Sequence, residues 1–175
     1  MKKLALLLCL AGCSNDTTPT PQPQPQPKAA LKRASDCIFF TAPAAWIEEE
    51  PSNNMRKAQF KVVDKEKKAG DAWFVISKLA LQPIEPNIDR WAKQMGLESG
   101  KGVEMKGNHA FWLVDFTVAY TSDQGEETPS ARMIAAILNS GSASWFFKLI
   151  GPTDTVADYK DDFIAMMKSV KDKGE

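Results

Sequence analysis

One histidine and three cysteines in 175 residues leave little of the usual catalytic chemistry. His109 stands alone at the start of a strand-like segment, just after Gly107-Asn108, which is the place of a surface or edge residue rather than a base. No Gly-x-Ser-x-Gly, His-Glu-x-x-His, Cys-x-x-Cys or phosphate-binding glycine loop occurs. The acid run Glu48-Glu49-Glu50 lacks the Asp-x-Asp-x-Asp-Gly spacing of a calcium loop, so the chain is read with no metal site and no cofactor. Net charge is missing too: 22 basic residues face 22 acidic ones. Without the leader the balance is about −2, which gives no electrostatic case for a nucleic-acid partner. The apolar run at residues 4–11 is the longest before the domain. As a helix, nine or so residues cover about 14 Å, half of a ~30 Å hydrocarbon core, so it is no mature membrane span.

What is present at the start is a positive Met1-Lys2-Lys3 followed by that apolar run, the pattern of a secretory signal. It ends in Leu10-Ala11-Gly12-Cys13, which resembles a lipobox. The resemblance implies a bacterial lipoprotein: cleavage after residue 12, a diacylglyceryl thioether on Cys13 and, in many bacteria, an acyl chain on the new amino terminus. Two or three chains, at ~0.8 kcal/mol per buried CH₂, make a stable anchor where one would not. Ser14 rather than Asp follows the cysteine, which in a Gram-negative cell implies the outer membrane, facing the periplasm. Cys9 leaves with the leader and Cys13 carries lipid, so only Cys37 remains and no internal disulfide forms. In its apolar run Cys37-Ile38-Phe39-Phe40 it reads as a small buried hydrophobe.

Residues 13–35 form a stalk by composition. Pro21-Gln22-Pro23-Gln24-Pro25-Gln26-Pro27 removes backbone donors and fixes φ, which excludes helix and sheet. As polyproline II, residues 14–30 reach about 50 Å. Residues 28–35 are read as the start of a helical turn.

Residues 36–172 form one α+β domain. Strands are expected at 37–41, 55–63, 72–81, 103–105, 109–120, 131–138 and 143–150, from alternation and from turn residues such as Asn139-Ser140-Gly141-Ser142. Residues 42–46 are read as a turn from which Trp46-Ile47 packs back on the core. In 55–63, Ala58, Phe60 and Val62 take one face, with Arg56 in phase with them and snorkelling outward, and the strand is placed near a sheet edge. Pro83 and Pro86 break the chain, and Asn87 caps a helix whose stripe is Ile88, Trp91, Ala92 and Met95. A second helix carries Val156, Tyr159, Phe163, Met166, Met167 and Val170, with Thr155 and Asp158 resembling a capping box. Three strands are apolar on both faces, so something must cover both sides of the sheet, and a helix on each side fits.

This order, with Phe40-Thr41-Ala42-Pro43 and Trp46 at its start and Gly151-Pro152, Phe163 and Ser169 at its end, resembles the Mog1/PsbP-like family. The resemblance covers residues 36–172 and implies a three-layer α/β/α sandwich with a mostly antiparallel central sheet. The family holds photosystem accessory proteins, a small-GTPase-binding protein and many bacterial lipoproteins. None of their functional residues matches a position here, so function must come from a site.

Alternation suggests where that site lies. Trp73, Val75 and Leu79 are grouped with Trp112, Val114, Phe116 and Val118, and with Trp145, Phe147 and Leu149, as the core under the C-terminal helix. The other face, beside the shorter helix, then holds Lys78, Asp115 and Lys148 among apolar neighbours, with Arg90 close by. A buried charge costs several kcal/mol unless paired, so Asp115 either pairs with Lys78, Lys148 or Arg90 or faces water. Lys78, Arg90, Asp115 and Lys148 are thus the candidate binding groove; no catalytic residue is assigned. The reading is a membrane-anchored envelope lipoprotein with a non-enzymatic binding or accessory domain and an envelope protein partner. The alternatives are a small enzyme using Asp115, Lys148 or His109, and a purely structural spacer.

Overall fold

Alternating segments pair into two antiparallel sheets in the computed structural model, which describes residues 30–33, 38–121 and 127–172. In chain order the elements are β1 (Ala30–Arg33), β2 (Ile38–Ala42), β3 (Trp46–Glu49), β4 (Arg56–Val62), β5 (Ala72–Ala80), α1 (Ile84–Gln94), β6 (Val103–Met105), β7 (Phe111–Thr121), β8 (Glu127–Ser140), β9 (Ala143–Gly151), α2 (Thr153–Asp158), α3 (Lys160–Ser169) and β10 (Lys171–Asp172). The leader, Cys13, the stalk up to residue 29, Cys37 and residues 122–126 lie outside the described residues.

The large sheet has the order β3-β4-β5-β9-β8-β7-β6, and a small one has β1-β2-β10. Helix α1 packs on one face of the large sheet, with Ile88, Trp91, Ala92 and Met95 against Val114, Phe116, Met133, Ile137 and Phe146. On the other face α2, α3 and the small sheet enclose the larger core, where Phe74 meets Trp46 at 4.7 Å and Phe163 at 6.1 Å between ring centroids. This is the three-layer α+β arrangement expected.

Several local expectations change. Residues 30–33, assigned to the stalk and its helical turn, are a strand paired with β2. Trp46-Ile47 begins β3, an edge strand that pairs with β4, so β4 stands one strand in from the edge, near it as expected. Helix α1 starts three residues before Asn87. Pro86 falls in its first turn, where no backbone donor is needed, so it does not delay the helix. Asn87 is therefore no cap; its amide donates to the Pro83 carbonyl at 2.8 Å. Gly96, at φ 74°, closes the helix: its N–H reaches the Lys93 carbonyl and that of Leu97 the Ala92 carbonyl, the paired bonds of a Schellman motif. The chain then runs close under β7, where a Cβ at Gly102 would stand 2.6 Å from Ile88 Cδ1.

The C-terminal stripe is broken into two helices at Tyr159, whose hydroxyl donates to the Val63 carbonyl at 2.9 Å. Thr155 caps nothing. It is buried inside α2 and donates to the Gly70 carbonyl at 2.7 Å. The 64–71 loop is held by Asp64, which accepts four backbone N–H groups from residues 66–70 at 2.6–3.0 Å.

Candidate functional site

Register decides which charges meet. Val75 pairs with Lys148, and Ser77 with Phe146. Lys148 pairs with Ala135, and Ala135 with Val114. These residues share the α1 face. Asp115 pairs with Ile134, and Ile134 with Leu149, on the opposite face. The expected grouping of the faces is corrected accordingly: Val75, Trp112 and Val114 lie under α1, whereas Trp145, Phe147 and Leu149 face the C-terminal helices. Each strand's alternation was legible, but their relative phase depends on hairpin register, and Ser140 pairing with Ala143 sets it for β9.

Of the four expected groove residues, the structure brings together Arg90 and Lys148. Lys78 is on the other face, opposite Trp145, with its ammonium 5.2 Å from that indole. Asp115 is also there, and its partners are Arg132, through two bonds of 2.7 and 2.6 Å, and Lys160 at 2.9 Å. The expected pairing with Lys78, Lys148 or Arg90 is thus replaced. Burial alone would raise the Asp115 carboxyl; the hydrogen bonds and charges of Arg132 and Lys160 hold it below its ordinary pKa.

The third cation of the groove is Arg56. In phase with Ala58, Phe60 and Val62, it would point at the larger core. The register shifts between Arg56 and Ala58, so Arg56 rather than Lys57 pairs with Ser77. This bulge turns Arg56 to the α1 face, where its guanidinium donates to Gln59 Oε1 at 2.7 Å. A charged residue in phase with an apolar strand face was the signal for it.

The resulting groove holds about 250 Å³ between α1 and strands β4, β5 and β9. Trp91, 1% exposed, forms part of its wall and meets Phe146 edge to face at 5.8 Å. Lys148 Nζ lies 5.4 Å from the Trp91 ring centroid and donates to Gln94 Oε1 at 3.2 Å. Arg90 donates to Asn87 Oδ1 at 2.9 Å. Among the described residues no carboxylate lines the groove or pairs with Arg56, Arg90 or Lys148; their partners are neutral amides. Burial, then the charges of Arg90 and Arg56, push the Lys148 amine down to about 8. Such a site attracts negative charge and offers an apolar surface beside it.

His109 lies elsewhere. Its Nε2 accepts the Asp172 backbone N–H at 3.1 Å, so the ring ties β10 to the start of β7. Among the described residues no group of three or more histidine, cysteine or acidic side chains could hold a metal, and no helix is long and apolar enough to cross a membrane.

No protein-family model and no curated protein sequence matches the chain. Solved structures do. Cyanobacterial PsbP from Synechocystis is similar at a TM-score of 0.54 and 11% identity, over 93% of this chain and 98% of that one. The Ran-binding protein Mog1p of Saccharomyces cerevisiae is similar at 0.50 and 8%, over 84% and 97%. A crystal structure from Bacteroides thetaiotaomicron is similar at 0.50 and 13%, over 86% of this chain but only 50% of that one, so the chain spans half its length. At these identities the likeness is one of architecture, and the architecture is the Mog1/PsbP-like α+β fold.

Proposed function

We propose that the protein is a membrane-anchored envelope lipoprotein whose domain is a non-enzymatic binding or accessory module, with the groove beneath α1 as its binding site. The carrying observation is the set of Arg56, Arg90 and Lys148 beside Trp91, none of which pairs directly with a carboxylate among the described residues. Unbalanced charge of this kind costs stability, and a bound group of opposite charge recovers it. Lipid on Cys13 and a stalk reaching about 50 Å would place the domain beside an envelope protein partner, in the periplasm if the cell is Gram-negative. One similar fold, Mog1p, is a Ran-binding protein, and binding is the use proposed here. The enzymatic alternative has no shared site, because Asp115, Lys148 and His109 lie in three separate places. A spacer would give no reason for the unbalanced cations.

The test is native mass spectrometry of the lipoprotein purified from its own envelope. A component retained by the parent chain and by Asp161→Lys on the far face, but lost in Arg90→Glu/Lys148→Glu, is the expected result. Retention regardless of groove charge would overturn the assignment. A Cys13→Ser form should leave the membrane fraction.

A further inference from the structure

The groove's two kinds of wall narrow its ligand. Arg56, Arg90 and Lys148 supply donors and positive charge from a strand, a helix and another strand. Met55, Val75 and Leu79 supply an apolar surface, backed by the buried rings of Trp91 and Phe146. A bare inorganic anion would leave that surface unused. A neutral apolar molecule would leave the cations unbalanced. At about 250 Å³ the concavity is just below the range of drug-sized ligand sites, so the occupant is small.

We infer that the groove binds a small amphiphilic anion: a carboxylate, sulfonate or phosphate head held by Lys148, Arg90 and Arg56, on an apolar body resting against Met55, Val75 and Leu79. This rests on the groove being the binding site. Charge-assisted hydrogen bonds from two guanidinium groups suit a planar or tetrahedral oxyanion, and the side chains of Met55, Val75 and Leu79 suit an apolar body beside it. The bound anion would also change the protonation of Lys148. Its amine, held down to about 8 by burial and by two like charges, would rise when a negative charge arrives. Binding near pH 8 therefore takes up protons, and affinity falls as pH rises through that region and Lys148 becomes neutral.

The test is amide NMR titration of the full chain with 2-naphthoate, with the neutral 2-naphthalenemethanol and with acetate. Naphthoate should shift the resonances of Val75, Ser77, Phe146, Lys148 and the Trp91 indole. The other two probes should bind at least about tenfold more weakly, as should naphthoate to Lys148→Gln or to Arg90→Gln, the cost of one charge-assisted contact. Asp161→Lys should bind as the parent does. Equal binding of the neutral probe, shifts confined to another surface, or Lys148→Gln and Arg90→Gln both binding as the parent would overturn the inference. Tighter binding of the peptide acetyl-Leu-Glu-Phe-amide than of naphthoate would overturn the free ligand in favour of a protein segment. A groove-dependent component in the native mass spectrum, with no naphthoate binding, would sink this inference and leave the binding site standing.

Discussion

The two faces of the central sheet treat charge in opposite ways. On the face under α2 and α3, Asp115 is an acid among apolar strands, and it is answered by a two-pronged Arg132 and by Lys160. On the face under α1, Lys148 is a base among apolar strands, and among the described residues it is answered by a glutamine and an indole while Arg90 and Arg56 repel it. The first arrangement serves folding. The second works against folding, which is why the α1 face and not the other is proposed as the binding site.

Breaking the paired face should give the largest effect. Asp115→Ala removes the acid and strands Arg132, whose side chain is 17% exposed, so urea unfolding at pH 7 should show a loss of about 2 kcal/mol. The same pair gives the acid side of the pH profile. Because its folded pKa is lowered, the contribution of Asp115 is complete above the carboxyl's unfolded pKa and disappears as pH falls through the folded value. Naphthoate binding should be unchanged in this variant.

On the α1 face the same kind of substitution should act with the opposite sign. Lys148→Met keeps the apolar stem and removes the unbalanced charge, so it should stabilise the protein by about 1–2 kcal/mol at pH 7, discounted for the partial exposure of the amine. A loss of stability would mean that the cation is paired after all. The pH profile sharpens this further. With a folded pKa near 8 against an ordinary 10.5, the unfolded chain holds more protons between those values, so stability should rise across that window in the parent. That rise should be missing in Lys148→Met. The smallest effect belongs to Arg90→Gln. This surface residue should change stability by less than about 0.5 kcal/mol while still weakening naphthoate, which would separate binding from folding.

Much of this contrast was legible in the sequence, and the rest failed for physical reasons. The stripe Ile88, Trp91, Ala92 and Met95 is buried as its spacing implied, and β5, β7 and β9 fall within a residue or two of their alternating segments. Lys148 and Arg90 stood out as charges beside apolar neighbours, and they do converge. Asp115 and Lys78 stood out for the same reason and lie on the other face. Period-two alternation shows that a strand has two faces but not which face of the next strand lies beside it. Arg56 was assigned to the wrong face because a bulge adds one residue that no pattern count includes. The C-terminal stripe ran through Tyr159 unbroken, whereas the chain breaks there around a hydroxyl bonded to Val63, a contact across 96 residues. Strands β1 and β10 are four and two residues long, too short for any periodicity to register.

The central claim is that Lys148 is an unbalanced cation awaiting an anion. The measurement that tests it most directly is the pKa of its side-chain amine by NMR, in the free protein and saturated with 2-naphthoate. The expected result is a value about 8 in the free protein that climbs toward 10.5 on binding. A value already near 10.5 in the free protein, or one that does not move when naphthoate is bound, would contradict it.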